Sequence, residues 1–120
     1  MNNKLIFILL DGLNFDTGKK YLGFLNHLVE SKKAAFYTVK SELPAMSRPL
    51  YEVLMTGVNS STNKVVLNDY NKKSTTENLF SLTKNANINN GSSSYYWISE
   101  LYNSTPFKKD QYNSINICNR

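Results

Sequence analysis

A chain of 120 residues with 41% hydrophobic and 12% aromatic content has the length of one domain and enough apolar mass for a core, which excludes an intrinsically disordered polymer. The net charge of +5 and isoelectric point near 9.3 allow weak attraction to anions, phosphate esters among them. The lysines are spread thinly and no basic cluster is interleaved with aromatics, so specific nucleic-acid binding is not expected; the pairs Lys72–Lys73 and Lys108–Lys109 read as solvated turns.

The first element is the run "KLIFILLDG", six consecutive apolar residues closed by Asp11 and Gly12. Such a run suits a strand buried on both faces of a parallel sheet. It lacks a small-residue cleavage site and is far too short to span a bilayer, so neither a signal peptide nor a membrane anchor is expected. Tyr21, Phe24, Leu25 and Leu28 then recur at helical steps, with Asp16 or Thr17 as a cap. "AAFYTVKSEL" alternates and is rich in β-formers, which predicts a second strand ended by Pro44. "SRPLYEVLMTG" predicts a helix with Ser47 at its N-cap, Pro49 in its first turn and Gly57 at its end.

The polar stretch from Val58 to Thr76 holds a short apolar island at Val65–Leu67. "STTENLFSLTKNA" predicts a further helix, with Ser74 to Glu77 offering a capping box. "NINNGSSS" is a loop. The aromatic group Tyr95, Tyr96 and Trp97 reads as core. Residues 1–107 are expected to form one domain and 108–120 an irregular tail. Cys118 is the single cysteine, so no internal disulfide can form, and a reducing, cytoplasmic setting fits.

The order β-α-β-α, then helix and strand, predicts an α/β fold: an open, mostly parallel sheet flanked by helices. Ligands in such sheets bind beyond the carboxyl ends of strands. Asp11 ends the first predicted strand and Ser47 follows the second, so both are placed at one rim. Asp11 reads either as a turn carboxylate or as a metal ligand. Ser47 reads either as a helix cap or as a nucleophile beside amides that favour an anion, its hydroxyl activated by a metal. His27, the single histidine, sits mid-helix as a surface or core-edge residue. "DGLNFDTGKK" lacks the spacing of a phosphate loop and departs from a calcium loop.

Taken together, "LIFILLDG" and "PAMSRPLYEVLMTG" resemble the alkaline phosphatase superfamily, and within it the type I phosphodiesterase/nucleotide pyrophosphatase branch, over roughly residues 4 to 107. The resemblance implies an alkaline-phosphatase-like core, incomplete in this chain. It implies a metal-dependent phosphoester (phosphodiester or pyrophosphate) hydrolase with Ser47 as nucleophile and with Asp11 and Ser47 on two divalent metal ions, usually zinc. Asn68 would hold a phosphoryl oxygen. Arg48 is either a phosphate contact or a salt-bridge partner. The substrate would be a phosphate ester or nucleotide. Where many members carry Pro-Asn-His after the nucleophile, this chain has Pro49-Leu50-Tyr51.

After Ser47 the chain has no histidine and five acidic residues, Glu52, Asp69, Glu77, Glu100 and Asp110. That is too few for two metal centres, since each zinc takes three or four protein ligands. The expectation is therefore an N-terminal portion of a longer enzyme, inactive alone and open to a complementing C-terminal chain. The alternatives are a non-catalytic α/β anion-binding module or a nonfunctional remnant.

Overall fold

The computed structural model describes residues 4–70, 72–94 and 96–102. The chain divides into two compact units, Met1–Lys40 and Ser41–Arg120. Tyr95, the tail at 108–120, Cys118 and the pair Lys108–Lys109 lie outside the described residues.

The first unit carries two short helices, α1 (Phe15–Tyr21) and α2 (Gly23–Glu30). The sequence stripe through Tyr21, Phe24, Leu25 and Leu28 reads as one helix, but the helix breaks at Leu22, whose ψ of 63° leaves the helical region. Asn14, not Asp16 or Thr17, caps α1: its Oδ1 accepts from the Thr17 amide at 3.1 Å. The Asn26 side chain donates to the Lys19 carbonyl at 2.8 Å and so ties α2 back to α1. Gly18 is buried, and a methyl group there would meet Leu13 Cδ2 at 3.2 Å; the glycine is what lets Leu13 approach the helix backbone. His27 is exposed.

The second unit holds α3 (Ser47–Thr56), α4 (Ser60–Asn63), α5 (Leu79–Asn85) and α6 (Tyr96–Tyr102). Gly57 ends α3 in the left-handed conformation with φ 70°, as its position after the apolar stripe predicts. Asn78 opens α5 with a reciprocal box: its Oδ1 accepts from the amides of Phe80 and Ser81, and Ser81 Oγ accepts from the Asn78 amide at 2.9 Å. The box therefore lies four residues beyond the predicted Ser74–Glu77. The core is Val65, Phe80, Ile98, Leu101 and Tyr102, with Tyr51, Met55 and Tyr70 packed against it. The rings of Phe80 and Tyr102 lie 5.4 Å apart at 48°.

The predicted open parallel sheet is corrected. Among the described residues there is no strand. The run at 5–10 and the segment at 35–40 carry no regular structure, and no backbone hydrogen bond within the described residues joins either to a neighbour. A strand exists only when its amides and carbonyls are paired, and β-propensity is subordinate to that tertiary context. Both runs have strand-forming sequences and no ladder. The described residues are thus helical where they are regular, and the alkaline-phosphatase-like α/β core is not what they form.

Replacing Asn78 with alanine should lower the unfolding free energy by about 1 kcal/mol, because it strands two first-turn amides of α5. Urea denaturation checks this, and Asn78→Asp should recover most of the loss.

Candidate functional site: the polar face of helix α3

Helix α3 begins where Pro44 and Met46 bring an irregular segment to an end. Met46 is its N-cap and offers no side-chain cap. Ser47 is therefore the first helical residue, partly buried, and not the predicted cap. The capping comes from elsewhere in the chain. Asn68, twenty residues downstream, accepts from the Arg48 amide through Oδ1 at 3.0 Å. Pro49 has no N–H to satisfy, and the Leu50 amide donates to the Met46 carbonyl at 3.1 Å.

The Arg48 side chain is buried. Its guanidinium donates to the Tyr70 carbonyl and to Glu100 Oε2, the latter at 3.0 Å. One residue thus grips the 68–70 segment twice, by backbone at Asn68 and by side chain at Tyr70, and reaches α6 at Glu100. One turn further on, Glu52 is fully buried. Its carboxylate accepts from Ser74 Oγ and from Tyr102 Oη, the latter at 2.6 Å. The Ser74 amide in turn donates to the Leu101 carbonyl at 2.7 Å. Burial, and then the hydrogen bond and negative charge of Glu52, push the Tyr102 phenol well above its ordinary range. The phenol is therefore a neutral donor to a buried carboxylate. A second carboxylate, Glu42, accepts from the Ser60 amide at 2.6 Å and from Ser60 Oγ at 2.9 Å, which fixes the start of α4.

Of the residues singled out in the sequence, Ser47, Arg48 and Asn68 meet at the first turn of α3. Asp11 lies in the other unit, in a turn with Gly12 at φ 69°. The sequence reading placed Ser74 in a capping box and counted Glu52 only among the acidic residues, and gave no role to Tyr102 or Glu42. Arg48 and Glu52 stand four apart on a helix, a spacing that ordinarily marks a solvated ion pair, and nothing local announces that both are buried with separate partners.

A family model of type I phosphodiesterase / nucleotide pyrophosphatase matches residues 5–110. The chain belongs to this family. None of the curated proteins and none of the solved structures compared matches it. Membership in the type I phosphodiesterase family is carried by the sequence; the structural and chemical implications of the resemblance are corrected. The described residues are helical and hold no strand, which is incompatible with the α/β core of the alkaline phosphatase superfamily, so the recognition of an N-terminal portion of such an enzyme does not stand as a description of this fold.

The phosphoester hydrolase assignment fails with that core, because its nucleophile and metal ligands are gathered at the ends of paired strands. Among the described residues no group of three or more His, Cys, Asp or Glu side chains could hold a metal ion. Asp11 and Ser47 supply one carboxylate and one hydroxyl, and each zinc centre takes three or four ligands. The enzyme designation and its phosphate ester or nucleotide substrate are corrected on the same ground. The alternative of an α/β anion-binding module lacks its sheet, and at the first turn of α3 the Arg48 and Leu50 amides are already engaged within the chain. Among the described residues no helix is long and apolar enough to cross a membrane.

Two outcomes follow from this geometry. Asn68→Ala should cost about 1 kcal/mol through loss of the α3 cap, with Asn68→Asp near neutral, as read by thermal or urea unfolding. Tyr102 retains its proton in the folded chain at a pH where the unfolded chain, with a phenol near 10, has lost it. Stability from this group is therefore full below about pH 10 and falls as the pH rises above it. Unfolding curves collected across that range should show the decline, and Tyr102→Phe should remove it while lowering stability at neutral pH.

Proposed function

We propose that this chain is a non-catalytic, self-associating module in which two copies join through the apolar runs of the first unit. The observation that carries the reading is the exposure of Leu5, Ile6, Phe7, Ile8, Leu9 and Leu10, which ranges from 41% to 85%. Covering this run would contribute about 6–12 kcal/mol per chain. That is as large as the whole stability of an ordinary domain, about 5–15 kcal/mol. Phe36, Tyr37 and Val39 in the second run are exposed as well. Each copy thus brings two unpaired, strand-forming segments. Two copies bring four, which passes the three-strand threshold that a sheet needs for independent stability.

The polar groups of the second unit support a structural role for that unit. The Arg48 guanidinium and the Glu52 carboxylate each hold several segments of the chain together. We place the module in the cytoplasm, because the single cysteine, Cys118, offers no internal disulfide and a reducing compartment suits it.

Sedimentation velocity over a concentration series, with infrared spectroscopy of the amide band, tests the reading. The expected result is a reversible dimer whose formation brings β-structure that the separated chains lack. Ile6→Lys combined with Ile8→Lys should leave a helical monomer. A wild-type chain that stays monomeric throughout the series would overturn the proposal, and so would turnover of an aryl phosphodiester that Ser47→Ala abolishes.

A further inference from the structure

Asn90 and Gly91 form the only Asn-Gly pair in the sequence, and the structure sets this pair apart from the other asparagines whose surroundings are defined. Asn14, Asn59 and Asn78 each hold their side-chain carbonyl against helix amides as caps, and a residue with its own side chain follows each of them. Asn90 lies beyond the C-terminal end of α5, in a stretch from 88 to 94 without helix or strand. Its Nδ2 donates to Thr83 Oγ1, so the amide nitrogen is the tethered end of the side chain. Around Gly91 there is open space: a side chain built there would meet nothing within 4 Å. The glycine backbone is therefore free to turn its nitrogen toward the preceding side chain.

We infer that Asn90–Gly91 is a self-modification site, at which the chain converts its own asparagine to aspartate or isoaspartate without an enzyme. The Gly91 backbone nitrogen, having given its proton to base, attacks Cγ of Asn90. The N–Cγ bond forms, the Cγ–Nδ2 bond breaks, and the amide nitrogen leaves as ammonia, which closes a five-membered succinimide. Water then opens the ring at either carbonyl. Opening at one carbonyl gives aspartate, and opening at the other gives isoaspartate with the main chain routed through the former side chain. No oxidant or cofactor enters.

The product differs from Asn90 at the point where the loop is tied to α5. The Nδ2 donor to Thr83 is lost, and a carboxylate takes its place beside the last turn of α5. Helix carbonyls there already carry partial negative charge. Thr83 Oγ1 keeps its own contacts to the carbonyls of Leu79 and Phe80, at 2.9 and 3.0 Å. Conversion therefore releases the loop from the helix and lowers the net charge by one.

Incubation of the full chain at mildly alkaline pH, followed by digestion and peptide mapping, tests this. Asn90 should become a mixture of aspartate and isoaspartate ahead of Asn14, Asn59 and Asn78. Gly91→Ala, a substitution with ample space in the folded chain, should slow the conversion about tenfold or more by restricting the backbone. The proposal is overturned if Asn90 stays intact while the capping asparagines convert, or if the Gly91→Ala chain converts at the wild-type rate. Conversion in urea but not under native conditions would overturn it equally.

Discussion

The second unit depends on a carboxylate that has no contact with water. Glu52 projects from the middle of α3 into the interior, where Ser74 and Tyr102 donate to its two oxygens. Leaving such a group buried without its donors would cost several kcal/mol, so the fold is obliged to bring both hydroxyls to it. Those donors lie 22 and 50 residues away along the chain. Satisfying one side chain therefore fixes the path of the 74–76 segment and the docking of α6 together. The Ser74 amide bonding the Leu101 carbonyl closes the same loop through the backbone. Arg48, one turn earlier, does the corresponding work for the 68–70 segment and Glu100. The apolar core of Val65, Phe80, Ile98, Leu101 and Tyr102 is small, and its packing is directed by this polar face.

The described residues of the first unit are held differently. Its helices are tied by local bonds, Asn14 to Thr17 and Asn26 to Lys19, three and seven residues apart. The ring contact of Phe15 with Phe36, at 6.0 Å between centroids, is its long-range aromatic contact. The strongest apolar sequence in the chain, residues 5–10, is left in solvent. The two units thus differ in kind: one buries polar groups and satisfies them, the other presents apolar groups to solvent.

What could be read in the sequence follows the range of the interactions involved. The helix at Ser47–Thr56 and its end at Gly57 were legible because an apolar stripe and a left-handed glycine are local signals. The helix at Leu79–Asn85 was legible for the same reason, although its cap sits at Asn78, where an asparagine competed with four neighbouring Ser, Thr and Glu residues for the same role. The break at Leu22 was not legible, since Tyr21, Phe24 and Leu25 keep helical spacing across it. The predicted strands misled for a different reason. Residues 5–10 and 35–39 have strand composition, but a ladder is a property of two segments, and composition reports only one. Ser47, Arg48 and Asn68 were singled out in the sequence as nucleophile, phosphate or salt-bridge partner, and phosphoryl contact, and the Arg48 amide and Asn68 Oδ1 are bonded at the start of α3. The chemistry of their meeting, a remote asparagine capping α3, could not be distinguished in the sequence from a phosphoryl contact, since both need a polar side chain at a helix N-terminus.

A family match over residues 5–110 and helical described residues coexist for the same reason. A sequence model registers residue types in order: an apolar run closed by Asp-Gly, a serine before a helix, a Thr-Gly at its end, an asparagine beyond. Three of those residues, Gly12, Gly57 and Asn68, have a structural use here that requires no substrate. Gly12 and Gly57 take left-handed φ at turns, Asn68 caps a helix, and Arg48 joins the cap to the core. Catalysis makes a further demand, that several strand ends hold metal ligands within a few ångströms of one hydroxyl, and local structure cannot meet it. Descent is therefore readable in the order of the residues, while the chemistry is decided by whether paired strands bring the ligands together.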